Sequence, residues 1–379
     1  MKGNSWRVLA GAAVAVTLAA HAVAADDSKT CANESGDVAI GACSRAIASG
    51  RYKGRQLAEF YFDRARAWRA KGDLDRAIAD DDQAIRLDPK YAIAHYNRGN
   101  AWFAKGDFDR AIADYDQAIR LDPKSALAYD ARAIALEFRA DSNQHKGREF
   151  KGDLDRAIAD FGQVILFDPK NADAYTHRGL VWKLKGDLDR AMADFDQAIR
   201  VDPKHDTAYS ARGDIWKAKG DLDRAMADYD QEIRVDPEDG GAYYSRGDAW
   251  KAKGDLDRAI ADYDQAIRFD RFGMASRTYD ARGDAWKAKG DLDRAIADYD
   301  QAIRLNPEDD SAYSARGDAW KVKGDVDRAI ADYDQAIRLN PKVASAYYDR
   351  GLAKRNKGDT AGANEDIATA KKINPNIGN

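Results

Sequence analysis

The sequence predicts an all-α chain of the α-solenoid class, a stack of antiparallel helix pairs. Three observations predict it. First, the string Gly-Asp-Leu-Asp-Arg-Ala-Ile-Ala-Asp-Tyr-Asp-Gln-Ala-Ile-Arg recurs with small changes, led by Gly72, Gly106, Gly152, Gly186, Gly220, Gly254, Gly290, Gly324 and Gly358. These glycines are spaced by 34 residues, except for 46 after Gly106 and 36 after Gly254. Second, apolar residues in each unit recur at intervals of three and four, the stripe of a helix buried on one side. Third, charged residues make up 33% of the 379-residue chain, above the roughly 25% of an ordinary domain. A thin array has more surface per buried residue, and so needs more charge.

The unit led by Gly324 shows the design. Ala312 to Val322 reads as a first helix, with Tyr313, Gly317 and Trp320 on one face. Lys323 ends it, and Gly324 supplies a left-handed turn. Asp325 is placed to cap the second helix, where its charge also suits the positive helix end. Ala329, Ile330, Tyr333, Ala336 and Ile337 form the second stripe, and Asn340-Pro341 stops it because proline cannot continue a helix. Helices this short gain stability by stacking on neighbours.

Residues 1–55 stand outside the repeat. Lys2 and Arg7 precede an apolar run, Val8 to Ala20, and then the small-x-small set Ala22-Val23-Ala24. This is the order of a secretory signal peptide, with a cut expected after Ala24. The run is shorter than the ~20 residues a spanning helix needs, so no stable membrane insertion is expected once it is removed. Periplasmic or secreted localisation follows. Residues 25–55 read as a cap with one helix over 36–48. The two cysteines, Cys31 and Cys43, both fall in it. In an oxidising compartment a disulfide is the expected state, tying the strand before the helix to the helix itself. The rival is a metal site, but two sulfurs with no histidine nearby make a poor one.

A 34-residue period of paired helices resembles the tetratricopeptide repeat, over residues 56–376 in nine units, leaving 377–379 as a tail. With the turn glycine taken as position 15, the family's small residues at 8 and 20 appear as Gly317 and Ala329. Its aromatics at 4, 11 and 24 appear as Tyr313, Trp320 and Tyr333, and its proline at 32 as Pro341. The resemblance implies a right-handed superhelix whose first helices line a concave groove, with positions 2, 5, 9 and 12 facing a bound peptide and 13 nearby.

Three departures from the family stand out. Position 7, usually leucine, is arginine in all nine units: Arg64, Arg98, Arg132, Arg178, Arg212, Arg246, Arg282, Arg316 and Arg350. Position 23 is always aspartate: Asp80, Asp114, Asp160, Asp194, Asp228, Asp262, Asp298, Asp332 and Asp366. An internal Arg–Asp ladder that fixes helix register is expected, since a slipped helix would strand a partly buried charge. An active site is not built nine times over, so a catalytic reading of the pair is set aside. The third unit carries 12 extra residues within 140–151, read as a polar loop or helix extension hinged near Gly147. The sixth ends in an irregular junction over 269–276, without proline, read as a bend or a weaker joint.

In units five to eight, position 9 is Asp214, Asp248, Asp284 and Asp318, and position 12 is Lys217, Lys251, Lys287 and Lys321. Charges three apart on a helix are neighbours, so this face is expected to neutralise itself in water, with a track for a charged peptide as the alternative. Units one to four instead place Phe62, Ile93, Tyr96, Phe103, Leu127, Ile134, Phe138, Leu180 and Leu184 at groove positions, with Arg66, Arg69 and Asn100 among them. Apolar residues where the same chain elsewhere has Asp, Lys or Ser point to a partner site. The competing reading is that the 36–48 helix covers part of it.

Chemistry is expected to be absent. No phosphate-cradling or dinucleotide motif occurs, and none of the histidines beyond His21 (His95, His145, His177, His205) makes a helical metal pair. Repeated Asp-x-Asp pairs lack the third ligand and the glutamate of a calcium loop. Lys plus Arg is 61 against 65 for Asp plus Glu, which gives no reason to expect nucleic acid. No cofactor or metal is expected, and the chain reads as no enzyme. The function read from the sequence is a protein–protein interaction scaffold in the bacterial envelope that binds a protein or peptide segment. The alternative is a polymer-handling component of envelope secretion, with Tyr96, Phe103 and Tyr244 stacking sugars. A self-associating array is a third reading.

Overall fold

The computed structural model describes residues 27–142, 148–271 and 273–378. The signal-peptide expectation for residues 1–24 lies outside the described residues. The chain divides into two compact units, one through Val201 and one from Asp202. Each is an all-α array of helix pairs, the α-solenoid class predicted.

The first unit opens with a short helical segment over 27–33 and then α1 (Gly36–Ala48). Cys31 and Cys43 are joined in a disulfide, with Cα atoms 4.8 Å apart. The segment before α1 is therefore helical where the sequence reading had a strand. The disulfide packs with Ala42, Ala46 and Phe60, and Tyr52 closes over Phe60 with ring centroids 4.4 Å apart. Four pairs follow: α2 (Gly54–Ala70) with α3 (Leu74–Leu87), α4 (Ala92–Ala104) with α5 (Phe108–Leu121), α6 (Ala126–Ser142) with α7 (Arg148–Phe167), and α8 (Ala172–Lys185) with α9 (Leu188–Val201). The second unit holds five: α10 (Asp206–Ala218) with α11 (Leu222–Val235), α12 (Gly240–Ala252) with α13 (Leu256–Arg268), α14 (Ala275–Ala288) with α15 (Leu292–Leu305), α16 (Asp310–Lys323) with α17 (Val326–Leu339), and α18 (Ala344–Asn356) with α19 (Thr360–Ile373).

The pair α12–α13 explains the rest. Gly254 takes φ 83°, a left-handed turn that a side chain would strain. Asp255 then caps α13 by accepting from the Arg258 backbone N–H at 3.1 Å. It also accepts from Arg258 Nε, and that guanidinium lies 3.8 Å from the centre of the Trp250 ring. Ala259, Ile260, Tyr263 and Ala266 are buried along α13. Gly247 has no side chain because the Tyr263 ring occupies the place, and a Cβ there would fall 2.9 Å from it. Most of the other helix pairs repeat this scheme, and stacking buries their stripes.

Two places depart from the regular repeat; at the insertion the described residues take the helix-extension alternative, and the hinge expected near Gly147 lies outside the described residues. The 12-residue insertion is, in its described residues, helix: α6 runs to Ser142 and α7 begins at Arg148. Gly152 is absorbed into α7 and loses its left-handed turn. Asp153 then caps nothing, and accepts both Nε and Nη2 of Arg139 at 2.8 and 2.5 Å. The junction at 269–276 is tied by polar bonds. Asp270 accepts from the backbone N–H groups of Met274 and Ala275, which caps α14 without proline. Arg271 reaches Asp236 and Glu238 at 2.9 and 2.7 Å.

Candidate functional site

The Arg–Asp ladder is present in all nine helix pairs. Each position-7 arginine donates through Nε and Nη2 to both oxygens of its position-23 aspartate, at 2.5–2.9 Å. This bidentate fork is the strongest ion-pair geometry available to a carboxylate. The aspartates are buried and the arginines half-buried. The sequence did not suggest the third bond. Nη1 of Arg98, Arg132, Arg246, Arg282, Arg316 and Arg350 donates to the position-25 aspartate of the preceding repeat, Asp82, Asp116, Asp230, Asp264, Asp300 and Asp334. Arg64 finds Ser44 of α1 in that place, at 2.9 Å. Each of these seven guanidinium groups therefore pins its own helix pair to the helix before it; at Arg178 the equivalent position is Gly162, which offers no carboxylate.

The apolar residues singled out from the sequence do not form one continuous groove. Phe62 is core: it is 9% exposed, with its ring 5.3 Å from that of Tyr91 between the first two repeats. Position 5 turns inward there because the small Ala58, Ala84 and Ala94 leave room. Arg66 pairs with Asp63 at 3.5 Å, and Arg69 is half-buried on the same helix. Tyr96 and Ile134 rest on the core that contains Tyr115 and Leu136. Asn100 is committed, accepting from the Tyr115 hydroxyl at 2.8 Å. Ile93 and Leu127 are 48% and 65% exposed at the N-terminal ends of α4 and α6. At 1.5 Å per residue that is roughly 16 Å from positions 12 and 13.

The structure does bring the remaining four together. Phe138 is 51% exposed and meets Phe103 edge-on, with centroids 5.4 Å apart. Phe138, Leu180 and Leu184 line a cleft of about 560 Å³ between α6 and α8, with Glu137 and Lys183 also in its wall. Phe108 completes the aromatic cluster, 5.5 Å from Phe103 and 6.1 Å from Phe138. Sequence reasoning missed it, although it is the one aromatic at a position that is otherwise leucine, valine or, in the last repeat, threonine. His177 sits beside the cleft, its ring stacked on Phe161 and its Nδ1 3.4 Å from Glu137 Oε2. The Glu137 carboxylate holds that imidazole above its ordinary pKa against the effect of burial.

In the second unit the charged face neutralises itself, in part across repeats. Asp214, Asp248, Asp284 and Asp318 each accept from the buried tyrosine of their own repeat, Tyr229, Tyr263, Tyr299 and Tyr333. Lys217 and Lys251 reach the aspartate of the next repeat, at 3.6 Å to Asp248 and 3.7 Å to Asp284. The within-helix pairs Lys287–Asp284 and Lys321–Asp318 also occur, at 3.7 and 3.3 Å. Tyr244 is buried, and the Arg277 guanidinium lies 4.9 Å from its ring centre, so its face is not an open platform for a sugar.

Models of the tetratricopeptide repeat match residues 92–125, and 146–206, 185–234 and 210–273. A further TPR repeat model matches 65–106, 283–321 and 322–358. The chain is a tetratricopeptide-repeat protein. No curated protein matches the sequence. Among solved structures, a tetratricopeptide repeat protein from Parabacteroides merdae is 21% identical with a TM-score of 0.52, the match covering 69% of this chain and 98% of that one. PilW, a type IV pilus biogenesis factor, is 16% identical with a TM-score of 0.51, covering 55% of this chain and 95% of its own. At these identities the likeness is one of fold.

Within this tetratricopeptide array, two buried acids break the repeat. Asp81 stands where the other repeats carry an aromatic or, in the last, Ile367, and it accepts from Asn97 Nδ2 at 2.8 and 3.1 Å. Glu232 stands where most repeats carry alanine, is 4% exposed, and has its pKa pushed up to about 8 by burial. A carboxyl whose folded pKa lies above its unfolded value stabilises fully below the unfolded pKa, near 4.5, and that contribution fades as pH rises through about 8. The second unit should therefore lose urea resistance between pH 5 and 8, and Glu232→Ala should make that slope shallower, the rest coming from Asp280, which burial pushes up to about 7. Parallel slopes for the two proteins would contradict this. Among the described residues, no group of three or more His, Cys, Asp or Glu is placed to hold a metal ion, and no helix is long and apolar enough to cross a membrane.

Proposed function

We propose that this protein is a non-catalytic adaptor that holds a segment of another protein, anchored in the apolar cleft of α6 and α8. The tetratricopeptide fold is generally an interaction scaffold. One observation carries the placement: Phe138 and Leu184 stay 51% and 38% exposed around a lined cleft, where the equivalent position in most other repeats is alanine. Large apolar side chains left in water beside an aromatic cluster fit a site that a partner covers. The occupant is a peptide segment with aliphatic or aromatic anchors, and Glu137 and Lys183 supply polar contacts at the cleft wall.

We further infer that it works after export, in the periplasm or outside the cell. The composition of residues 1–24 and the Cys31–Cys43 disulfide support this, because disulfides persist in oxidising compartments. The test of the cleft is a random-peptide selection on the purified chain. Enriched peptides should carry paired apolar anchors, and Phe138→Ala with Leu184→Ala should weaken their binding by at least ~10-fold while the unfolding midpoint stays put. Binding that survives the double replacement would place the partner elsewhere.

A further inference from the structure

The second unit contains a cleft of about 600 Å³ walled by α10, α11, α12 and α14, remote in sequence from the apolar site. Its chemistry is set by Glu232. In the string Asp-Gln-Ala-Ile-Arg, Ala198, Ala266, Ala302 and Ala336 occupy the same place, and small side chains suffice to pack it. Glu232 is buried there, and its Oε2 has no hydrogen-bond partner. A buried carboxyl oxygen left unsatisfied is costly and rare. Across the cleft, position 2 of α12 is Gly241, which adds no side chain to close it.

The groups around Glu232 are largely committed. Ser210 donates to it from α10. Asp214 accepts from the Tyr229 hydroxyl, and Asp239 accepts from the backbone N–H groups of Gly241 and Ala242. Arg277 Nε donates to the Tyr244 hydroxyl at 2.9 Å, and Lys217 leans to Asp248. Asp206, Asp214 and Asp239 all add negative potential at Glu232. The buried acid thus lacks a cation, and the two cations in the cleft wall are held away from it by other partners.

We propose that this cleft binds a primary ammonium group, with Glu232 as its buried counter-ion and the oxygens of Asp214 and Asp239 as further acceptors. An ammonium brings three donors and a positive charge on a narrow apolar stem. Binding is coupled to a proton. In the empty cleft at neutral pH the Glu232 carboxyl is mostly protonated; on binding, its O–H bond breaks, the carboxylate pairs with the ammonium, and the proton passes to solvent. A neutral hydroxylated ligand such as a sugar would leave that proton in place. The site is independent of the α6–α8 cleft.

Titration calorimetry on the whole chain at pH 7, in two buffers of unlike ionisation enthalpy, tests this. The probes are an acetylated and amidated Ala-Lys-Ala peptide, its norleucine counterpart, spermidine, and a soluble glucan oligosaccharide. The expected result is saturable binding of the lysine peptide, spermidine or both, none of the norleucine peptide, release of up to one proton, and affinity that rises from pH 6 to pH 8. A response to the peptide alone assigns the site to polypeptide lysines, and a response to spermidine alone to free amines. Glu232→Gln and Glu232→Ala should each weaken binding by about tenfold or more, while Phe138→Ala with Leu184→Ala leaves it unchanged. Alanine is the usual residue at this position, so that variant folds. The proposal is overturned if neither amine gives saturable heat up to ~10 mM, if both Glu232 variants bind as the parent does, or if the glucan binds without proton release.

Discussion

Replacing Arg246 by leucine should cost about 3–5 kcal/mol of stability in the second unit, the expected loss for breaking a buried ion pair from one side. The side chain closes two contacts at once, the fork to Asp262 and a single bond to Asp230 of the preceding repeat. Its removal strands Asp262, which is 6% exposed, in a space without a counter-ion. Asp262→Leu alone should cost less, because Arg246 keeps its bond to Asp230. The double variant Arg246→Leu with Asp262→Leu should lose less than the sum of the two, because only the more exposed Asp230 is left unpaired. Urea unfolding of the four proteins reads the coupling. If each single variant is as stable as the double, the ladder does not fix register.

The second large effect is expected at Tyr263. Its ring is fully buried against Gly247, and its hydroxyl donates to Asp248 at 2.7 Å. Tyr263→Ala opens a cavity within the helix pair and should cost ~3–5 kcal/mol. Tyr263→Phe keeps the ring and loses one hydrogen bond to a partly buried carboxylate, so it should cost about 1–2 kcal/mol. Equal losses for the two variants in urea unfolding would contradict the packing described for the pair, and would place the energy in the hydroxyl.

The fold was legible in the sequence because one local pattern, repeated nine times, carries it. The turn glycine, the capping aspartate, the stripe and the proline each act over a few residues. Position 7 and position 23 were legible as a pair for the same reason: their constancy survives where surface residues vary. The third bond of each arginine was not, since position 25 looks like any solvated aspartate until two repeats are stacked. Gly152 misled in the opposite direction, because twelve added residues convert a turn signal into the interior of a helix. Phe62 misled because a groove position turns inward when its neighbours are alanines. Glu232 was visible as a one-letter change in a repeated string, but its burial and its unsatisfied oxygen appear only in three dimensions.

The same contrast between repeat and exception underlies the proposed partner site. Phe138 and Leu184 are large where most other repeats are small, and packing does not cover them. The most direct measurement is the dissociation constant of a peptide selected on the purified chain, taken for the parent, for Phe138→Ala with Leu184→Ala, and for Val322→Ala. Val322 holds the same repeat position in the second unit and is 67% exposed. The account predicts that the double variant loses at least ~10-fold in affinity and that Val322→Ala matches the parent. Equal affinity in all three proteins, or loss only at Val322, would contradict it.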